Sequence, residues 1–139
     1  MNQFISDKRI EVAVSVTAGA AGATDITGAT IDTANYEGVA FVVQLGAIVS
    51  GAVTALKLTE CDTSGGTYTD VASTSITVAD DDDNEVRYLD YHRPAKRYVK
   101  LYVDRATQNA TLTAVAIKYG AKAQPFDQPT GTEGVAVAG

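Results

Sequence analysis

Residues 98–105 have the sequence YVKLYVDR, and this stretch decides the fold class. Val99, Leu101 and Val103 alternate with polar or amphipathic residues at a period of two, which is typical of a β-strand with one buried face. The alternation therefore predicts a strand whose aliphatic side chains point into a core. The residues expected on its outer face are Tyr98, Lys100, Tyr102 and Asp104.

A longer apolar stretch lies upstream at residues 38–56 (GVAFVVQLGAIVSGAVTAL), which holds no charged residue in 19 positions. That length is just sufficient for a membrane-spanning helix. Three glycines interrupt the stretch, however, and its large apolar side chains fall at period two from Val39 to Leu45. We therefore expect two strands joined by a turn near residues 48–51, and no membrane as a partner.

Further short strands follow from the same criteria, separated by turn-forming Gly, Asp, Ser and Thr residues. About eight short strands predict an all-β fold, an antiparallel β-sandwich or jelly-roll-like domain over residues 9–119. Residues 1–8 are expected to form a flexible N-terminal arm, and residues 120–139 an extended tail containing Gly and Pro. The predicted strand segments are 9–17, 27–32, 38–47, 53–61, 67–71, 75–79, 85–91, 98–105 and 111–119. The residues expected to share one face of the first strand are Ile10, Val12, Val14 and Val16.

Composition excludes several classes of site. The chain has one His and one Cys, so it cannot build a His/Cys zinc cage, a CxxC pair, an intrachain disulfide, or haem or iron–sulfur ligation. A net charge of −6 and a pI near 4.6 argue against nucleic acid as a partner. Residues 1–84 carry three basic and twelve acidic side chains, whereas residues 85–139 carry eight and five. This asymmetry suits association with further copies of the chain or with a partner protein.

The most conspicuous polar feature is the run of four aspartates at residues 80–83. Asp80, Asp82 and Asp83 are weak candidates for a Ca²⁺ site, because this hard cation prefers clustered carboxylate oxygens. The run lacks the alternating ligand positions, the central Gly and the distal Glu of an EF-hand loop. We therefore expect a solvated hairpin tip and no bound metal.

A basic and aromatic stretch covers residues 87–102 and combines cations with tyrosines. Such residues suit a protein interface, a solvated sheet face or, less well, a single-stranded nucleic-acid platform. No recognition motif of a nucleic-acid-binding domain accompanies them. The interface candidates are Phe4 and Ile5 in the N-terminal arm, followed by Arg87, Tyr91, Arg93, Lys96, Arg97, Tyr98, Lys100 and Tyr102.

Catalytic chemistry has little support in the sequence. His92 is the one side chain whose ordinary pKa lies near neutrality, and Cys61 is the one thiol. Neither belongs to a recognisable nucleophile motif, and the chain has no Trp to stack on a sugar. We therefore predict no catalytic residue, no cofactor and no enzymatic activity.

Two segments carry a resemblance to a known class of protein. They are residues 30–71 (TIDTANYEGVAFVVQLGAIVSGAVTALKLTECDTSGGTYTDV) and residues 93–105 (RPAKRYVKLYVDR), which precede a tail containing Gly and Pro. In this order the chain resembles the decoration or cement proteins of tailed-bacteriophage heads. The features that carry the likeness are the Tyr-Glu-Gly before a buried strand, the Leu-Thr-Glu-Cys-Asp turn entry and the Pro-Ala-Lys-Arg-Tyr-Val-Lys-Leu strand.

The resemblance implies a non-enzymatic structural protein of the virion, made in the host cytoplasm and located on the outer capsid surface. Its partners would be the major capsid protein and itself, as a homotrimer that stabilises contacts between capsid subunits. A terminal arm or loops would contact the shell. Two alternatives stay open: a carbohydrate- or surface-binding β-sandwich module, and another virion component such as a tail or connector protein.

Overall fold

The computed structural model describes residues 8–107 and 109–122, and this part of the chain contains strands and no helix. It confirms the predicted all-β class. The strands are β1 (Arg9–Val14), β2 (Ile26–Thr27), β3 (Ile31–Asp32), β4 (Gly38–Ile48), β5 (Val53–Cys61), β6 (Thr69–Asp70), β7 (Ile76–Val78), β8 (Val86–His92), β9 (Tyr98–Ala106) and β10 (Ala110–Tyr119). The expected arm and tail, including Phe4 and Ile5, lie outside the described residues except for Lys8 and residues 120–122.

The strands form two antiparallel sheets that pack against each other as a sandwich. Sheet A has the order β1-β10-β4-β8. Sheet B is built on the pair β9 and β5, with β2 and β3 along the free side of β9 and β6 and β7 along the free side of β5. Consecutive long strands such as β4 and β5 therefore lie in different sheets, so most pairing is between residues far apart in sequence.

The strand order is that of a jelly roll. Strands β2 and β3 pair with the same neighbour, as do β6 and β7, so each pair occupies one strand position. Eight positions result, in the order first-eighth-third-sixth in sheet A and second-seventh-fourth-fifth in sheet B. This is the double Greek-key connectivity of jelly-roll domains. Ten strands are present where nine segments were predicted, because the single segment 27–32 contains both β2 and β3.

The core lies between the sheets and is made of the residues that alternate at period two. Val39, Phe41 and Val43 on β4 are fully buried, and so are Val99 and Leu101 on β9. Both expected strands of the 38–56 stretch are present, joined by a turn in which the Ala52 N–H donates to the Val49 carbonyl at 2.9 Å. The membrane-helix alternative is wrong, because this stretch is divided between two sheets. No helix in the described residues has the length and apolar character needed to cross a membrane.

The first strand differs from its prediction. β1 ends at Val14 rather than at residue 17, and its register shifts between Val12 and Val14. A bulge of this kind inserts one residue and reverses the face on which the following side chains lie. Val12 is consequently 57% exposed while Val14 is 2% exposed, so the expected common face of Ile10, Val12, Val14 and Val16 is wrong.

The predicted strand at residues 27–32 is divided into β2 and β3 by a change of partner. The Gly28 N–H donates to the Leu101 carbonyl in sheet B at 2.8 Å, and the next N–H, of Ala29, donates to the Ala13 carbonyl in sheet A at 2.8 Å. A Cβ atom on residue 28 would lie 2.6 Å from the Leu101 oxygen, so glycine is required where the chain crosses between the sheets.

Candidate functional site

One end of the sandwich carries a concave, basic surface, which we call the basic end. It consists of residues 33–37, residues 93–97 and Lys122, which surround a cavity of about 600 Å³. Two backbone hydrogen bonds hold the two loops together, from the Arg93 N–H to the Glu37 carbonyl at 2.7 Å and from the Thr33 N–H to the Arg97 carbonyl at 2.9 Å. The two loops of the basic end are therefore held in a fixed arrangement by backbone hydrogen bonds.

Backbone conformation at the basic end is unusual. Asn35 has φ of 69° and Arg93 has φ of 52°, both in the left-handed region that non-glycine residues seldom adopt. A residue before proline ordinarily adopts extended backbone, so the left-handed Arg93 before Pro94 departs from that preference, and its N–H donates to the Glu37 carbonyl at 2.7 Å. Strained residues of this kind concentrate at functional sites, and here they direct the chain around the rim of the cavity.

The cations of the basic end are not equivalent. Arg97 is paired, because its Nε and Nη2 atoms donate to the two carboxylate oxygens of Asp32 at 2.9 and 2.8 Å. This guanidinium holds the pKa of the Asp32 carboxyl below its ordinary value. Within residues 8–107 and 109–122, neither the Arg93 nor the Lys122 side chain takes part in an ion pair. These two cations are available to an external partner, and Lys96 lies beside them.

The three candidates on β9 occupy a different surface, the outer face of sheet B, where they contact their own chain. The Lys100 ammonium lies 4.1 Å from the centre of the Tyr68 ring. The Lys57 ammonium lies 4.9 Å from the centre of the Tyr102 ring, and the Tyr102 hydroxyl donates to Asp25 at 2.9 Å. One side of each ring is therefore occupied by a lysine, which favours a solvated sheet face over an open aromatic platform.

Arg87 and Tyr91 on β8 take structural roles. Arg87 pairs with Asp82 and with Glu85, each at 2.7 Å. The Tyr91 hydroxyl donates to Glu60 at 2.9 Å and accepts from the Ala95 N–H at 3.1 Å. Burial raises the pKa of Tyr91, so the hydroxyl keeps the proton that it donates.

The aspartate run serves as a set of caps. The Asp80 carboxylate accepts from the Gly51 N–H at 2.7 Å, Asp82 accepts from the Ala79 N–H at 2.9 Å, and Asp83 accepts from the Ile48 N–H at 2.6 Å. The run joins β7 in sheet B to β8 in sheet A, so the expected hairpin tip is wrong. In residues 8–107 and 109–122, no three His, Cys, Asp or Glu side chains are grouped so as to hold a metal ion.

Cys61 and His92 make separate contacts. Cys61 is buried at the end of β5, and its sulfur lies 3.8 Å from the Thr63 hydroxyl. The exposed His92 ring stacks on Tyr119, with ring centres 6.2 Å apart and planes inclined by 6°. Neither contact supplies the oriented base that a cysteine nucleophile requires.

A second unusual surface was not predicted. The outer face of sheet A carries a row of apolar side chains that crosses all four strands in register: Val12 pairs with Val115, Val115 with Val42, and Val42 with Tyr88. Val12 is 57%, Val115 37% and Tyr88 71% exposed. The neighbouring row contains Ile10, Ile117 and Ala40. We call this surface the outer apolar face; its residues are Ile10, Val12, Ala40, Val42, Tyr88, Val115 and Ile117.

The sequence of β10, a central strand of sheet A, contained a signal that could have predicted this face. β10 places Ala114 and Ala116 toward the core while the larger Val115 and Ile117 point outward. A strand with apolar residues on both faces is typical of a sheet that is covered on both sides.

Comparison with known proteins adds no constraint on function: the chain matches no protein-family model, and no curated protein matches it significantly.

Proposed function

We propose that this protein is a non-catalytic docking protein that binds the outer surface of a virus head and stabilises contacts between major capsid protein subunits. Such a protein would act as a homotrimer. The proposal rests on the resemblance to phage decoration proteins and on the basic end of the sandwich. Fold similarity alone carries no function, because jelly rolls also serve as lectin and cupin domains.

The basic end is the single observation that carries the proposal. Three of the residues predicted to form an interface, Arg93, Lys96 and Arg97, lie together there, and Lys122 joins them. The chain as a whole has a net charge of −6, so a concave cationic surface gives it one preferred direction of approach to an acidic protein surface. A capsid lattice repeats such a surface many times.

Modest contacts suffice for this role. A protein that binds the assembled shell and not the separated subunits stabilises the shell by mass action. A symmetric oligomer presents several copies of the basic end at once, and linked sites raise the overall affinity by orders of magnitude, about 10²–10⁴ over a single site. The basic end therefore does not need an enclosed binding pocket.

The experiment compares charge-reversal variants on undecorated heads of the virus that encodes the chain. Arg93→Glu and Lys122→Glu together should strongly reduce the occupancy seen by co-sedimentation and electron microscopy, since they replace two cations that form no ion pair within the described residues. Lys100→Glu makes the same kind of charge change on the outer face of sheet B and should bind as the unaltered protein does.

Three results would contradict the proposal. One is unaltered protein that leaves the heads bare, and another is unchanged occupancy for the Arg93 and Lys122 variant. The third is a stable 14.5 kDa monomer in light scattering, which would contradict the proposed homotrimer. Glycan binding that Lys100→Glu abolishes would instead favour the carbohydrate-binding alternative, which would use the groove of about 270 Å³ between Tyr68 and Tyr102.

A further inference from the structure

Strand β8 forms a sheet edge that lacks the usual protection against pairing with another strand. Proteins protect such edges by short strands, bulges, lysine or proline. At the edges of sheet B, β2, β3, β6 and β7 are only two or three residues long. At the other edge of sheet A, β1 is interrupted by the register shift between Val12 and Val14. By contrast, β8 has seven residues in unbroken register with β4 and contains neither Lys nor Pro.

Alternate residues of β8 direct their backbone polar groups away from the sheet. The Leu45 N–H on β4 donates to the carbonyl of Glu85, the residue opposite, at 2.9 Å. Hydrogen-bonded pairs alternate along antiparallel strands, so the odd-numbered residues of β8 face β4. The even-numbered residues, whose N–H and C=O groups point outward, are Val86, Tyr88, Asp90 and His92. Among the described residues, the Arg87 guanidinium donates to the Val86 carbonyl at 3.2 Å, and the other outward backbone groups form no hydrogen bond.

The sequence around β8 is electrostatically complementary to itself. Residues 80–85 (DDDDNE) precede the strand with five carboxylates, and residues 93–97 (RPAKR) follow it with three cations. Two copies of β8 that pair antiparallel therefore bring the acidic segment of each toward the basic segment of the other. The register that pairs all seven residues is centred on Leu89, and it places Glu85 opposite Arg93 of the second copy. In the part of the chain that the structure describes, the Arg93 side chain forms no ion pair.

We propose that two copies of this chain associate by antiparallel pairing of their β8 strands, centred on Leu89. The outward backbone groups of Tyr88 then exchange hydrogen bonds with those of Asp90 in the second copy. Sheet A continues across the two-fold axis, and the two outer apolar faces meet at Tyr88, whose side chain is 71% exposed.

This contact is separate from the proposed homotrimer. A two-fold contact uses the same surface of both copies and does not close a ring of three. On a trimer it would connect one trimer to the next. The inference therefore does not rest on the proposed docking function, and either one can fail without the other.

The association should be reversible. A contact one strand long, about 24 Å, lies at the small end of interface sizes, below the total of about 1,200 Å² of standard interfaces. Two copies that each have a net charge of −6 also repel each other at longer range. Backbone hydrogen bonds and two symmetry-related pairs of opposite charge supply the attraction. We therefore expect association that increases with protein concentration.

Amide hydrogen exchange tests the contact residue by residue. At high protein concentration the N–H groups of Tyr88, Asp90 and His92 should exchange about ten-fold more slowly than after dilution, because pairing protects them. The amides of Leu89 and Tyr91, which face β4, should be protected at both concentrations. Free exchange of the outward amides at every concentration overturns the inference. Protection that does not change on dilution would show that the same chain covers the edge, and it overturns the inference as well.

Exchanging the two charges tests the register and the identity of the partner. Glu85→Lys alone and Arg93→Glu alone each make both pairs repulsive, so sedimentation equilibrium should show association about ten-fold weaker. The double variant restores opposite charges and should associate as the unaltered protein does. Lys100→Glu makes the same kind of change on the outer face of sheet B and is the matched control, which should not affect association.

Circular dichroism should show that all of these variants keep their strands, so that a loss of association is not a loss of fold. Rescue by the double variant is the result that damage to the fold cannot produce. Association that neither single substitution weakens contradicts the proposed register. A folded double variant that associates no better than the single variants contradicts the pairing of Glu85 with Arg93 of the second copy. Either result overturns the inference.

Discussion

The Tyr91 hydroxyl on β8 donates a hydrogen bond to Oε2 of Glu60 on β5 at 2.9 Å and so connects sheet A to sheet B. The same carboxylate oxygen accepts from the Lys96 N–H at 3.3 Å. Glu60 is almost entirely buried. Each hydrogen bond to this buried carboxylate contributes to the stability of the fold, because bulk water does not replace a lost partner.

Removing the Tyr91 hydroxyl should therefore destabilise the fold. Tyr91→Phe keeps the ring and deletes the donor, and we expect the free energy of unfolding to fall by about 1–3 kcal/mol. Urea denaturation followed by circular dichroism measures the change. Tyr88→Phe removes the hydroxyl of an exposed neighbour on the same strand and should cost nothing measurable. Equal effects of the two substitutions would show that the link between the sheets does not contribute.

Arg105 should be the most sensitive cation in the domain. It is 5% exposed, and its guanidinium donates to the carbonyls of Thr24, Ala20 and Ala110 at 2.7–2.8 Å. Arg105→Met removes all of these donors from a buried position, and we expect a loss of about 3 kcal/mol or more. Chemical denaturation gives the loss, and limited proteolysis should show earlier cleavage within residues 15–25, which the guanidinium holds against β9 and β10.

Arg97 provides the contrast for this prediction. Its pair with Asp32 has good bidentate geometry, but both side chains are about half exposed. Pairs at the surface contribute little, so Arg97→Met should cost no more than about 1 kcal/mol. If Arg97→Met proved as damaging as Arg105→Met, burial would not be the property that separates the two arginines.

The strands were predictable where local pattern and tertiary environment agree. The alternation of buried and less buried residues is regular from Val39 to Leu45 in β4 and throughout β9, and the bounds of β4, β5 and β9 lie within one residue of those expected. The ends of β1 and the division between β2 and β3 were not predictable, because they depend on hydrogen bonds to distant strands. The donation from Ala29 to Ala13 is one such bond, and it leaves no periodic signature in either segment.

The candidate interface shows a different limit of prediction from sequence. Its residues from Arg87 to Tyr102 are consecutive in sequence, but β8 and β9 belong to different sheets and the loop between them turns around the end of the sandwich. One run of residues therefore supplies an edge strand, the basic end and a sheet face. Arg105 was missed although a signal existed: it continues the inward register of Val99, Leu101 and Val103, which places a cation in the core.

Acid should weaken the fold through carboxylates that accept hydrogen bonds. The Arg97 guanidinium lowers the pKa of Asp32, and the Arg105 backbone N–H lowers the pKa of Asp25. Because both pKa values lie below the ordinary 3.8, the stabilisation is complete above pH 3.8 and is lost as the pH falls through the folded-state values. Thermal melts between neutral and strongly acidic pH should show this loss.

Asp32→Asn should make the melting temperature less dependent on pH in the acidic range, because one of the titrating groups is gone. Asp62→Asn removes an exposed carboxylate that forms no hydrogen bond with the described residues, so it should leave the pH profile unchanged. A profile that Asp32→Asn does not alter would mean that the pair with Arg97 does not couple folding to protonation.

The aspartate run should stabilise the turn between β4 and β5 without any metal ion. Asp83 accepts from the Ile48 N–H at 2.6 Å and Asp80 accepts from the Gly51 N–H at 2.7 Å, so both carboxylates already act as caps on that turn. We expect Asp83→Ala to lower the free energy of unfolding by about 1 kcal/mol. Asp81→Ala is the matched control in the same run and should be neutral. Excess Ca²⁺ should not shift the melting temperature of the unaltered protein; a Ca²⁺-dependent rise that Asp83→Ala abolishes would instead establish a cation site.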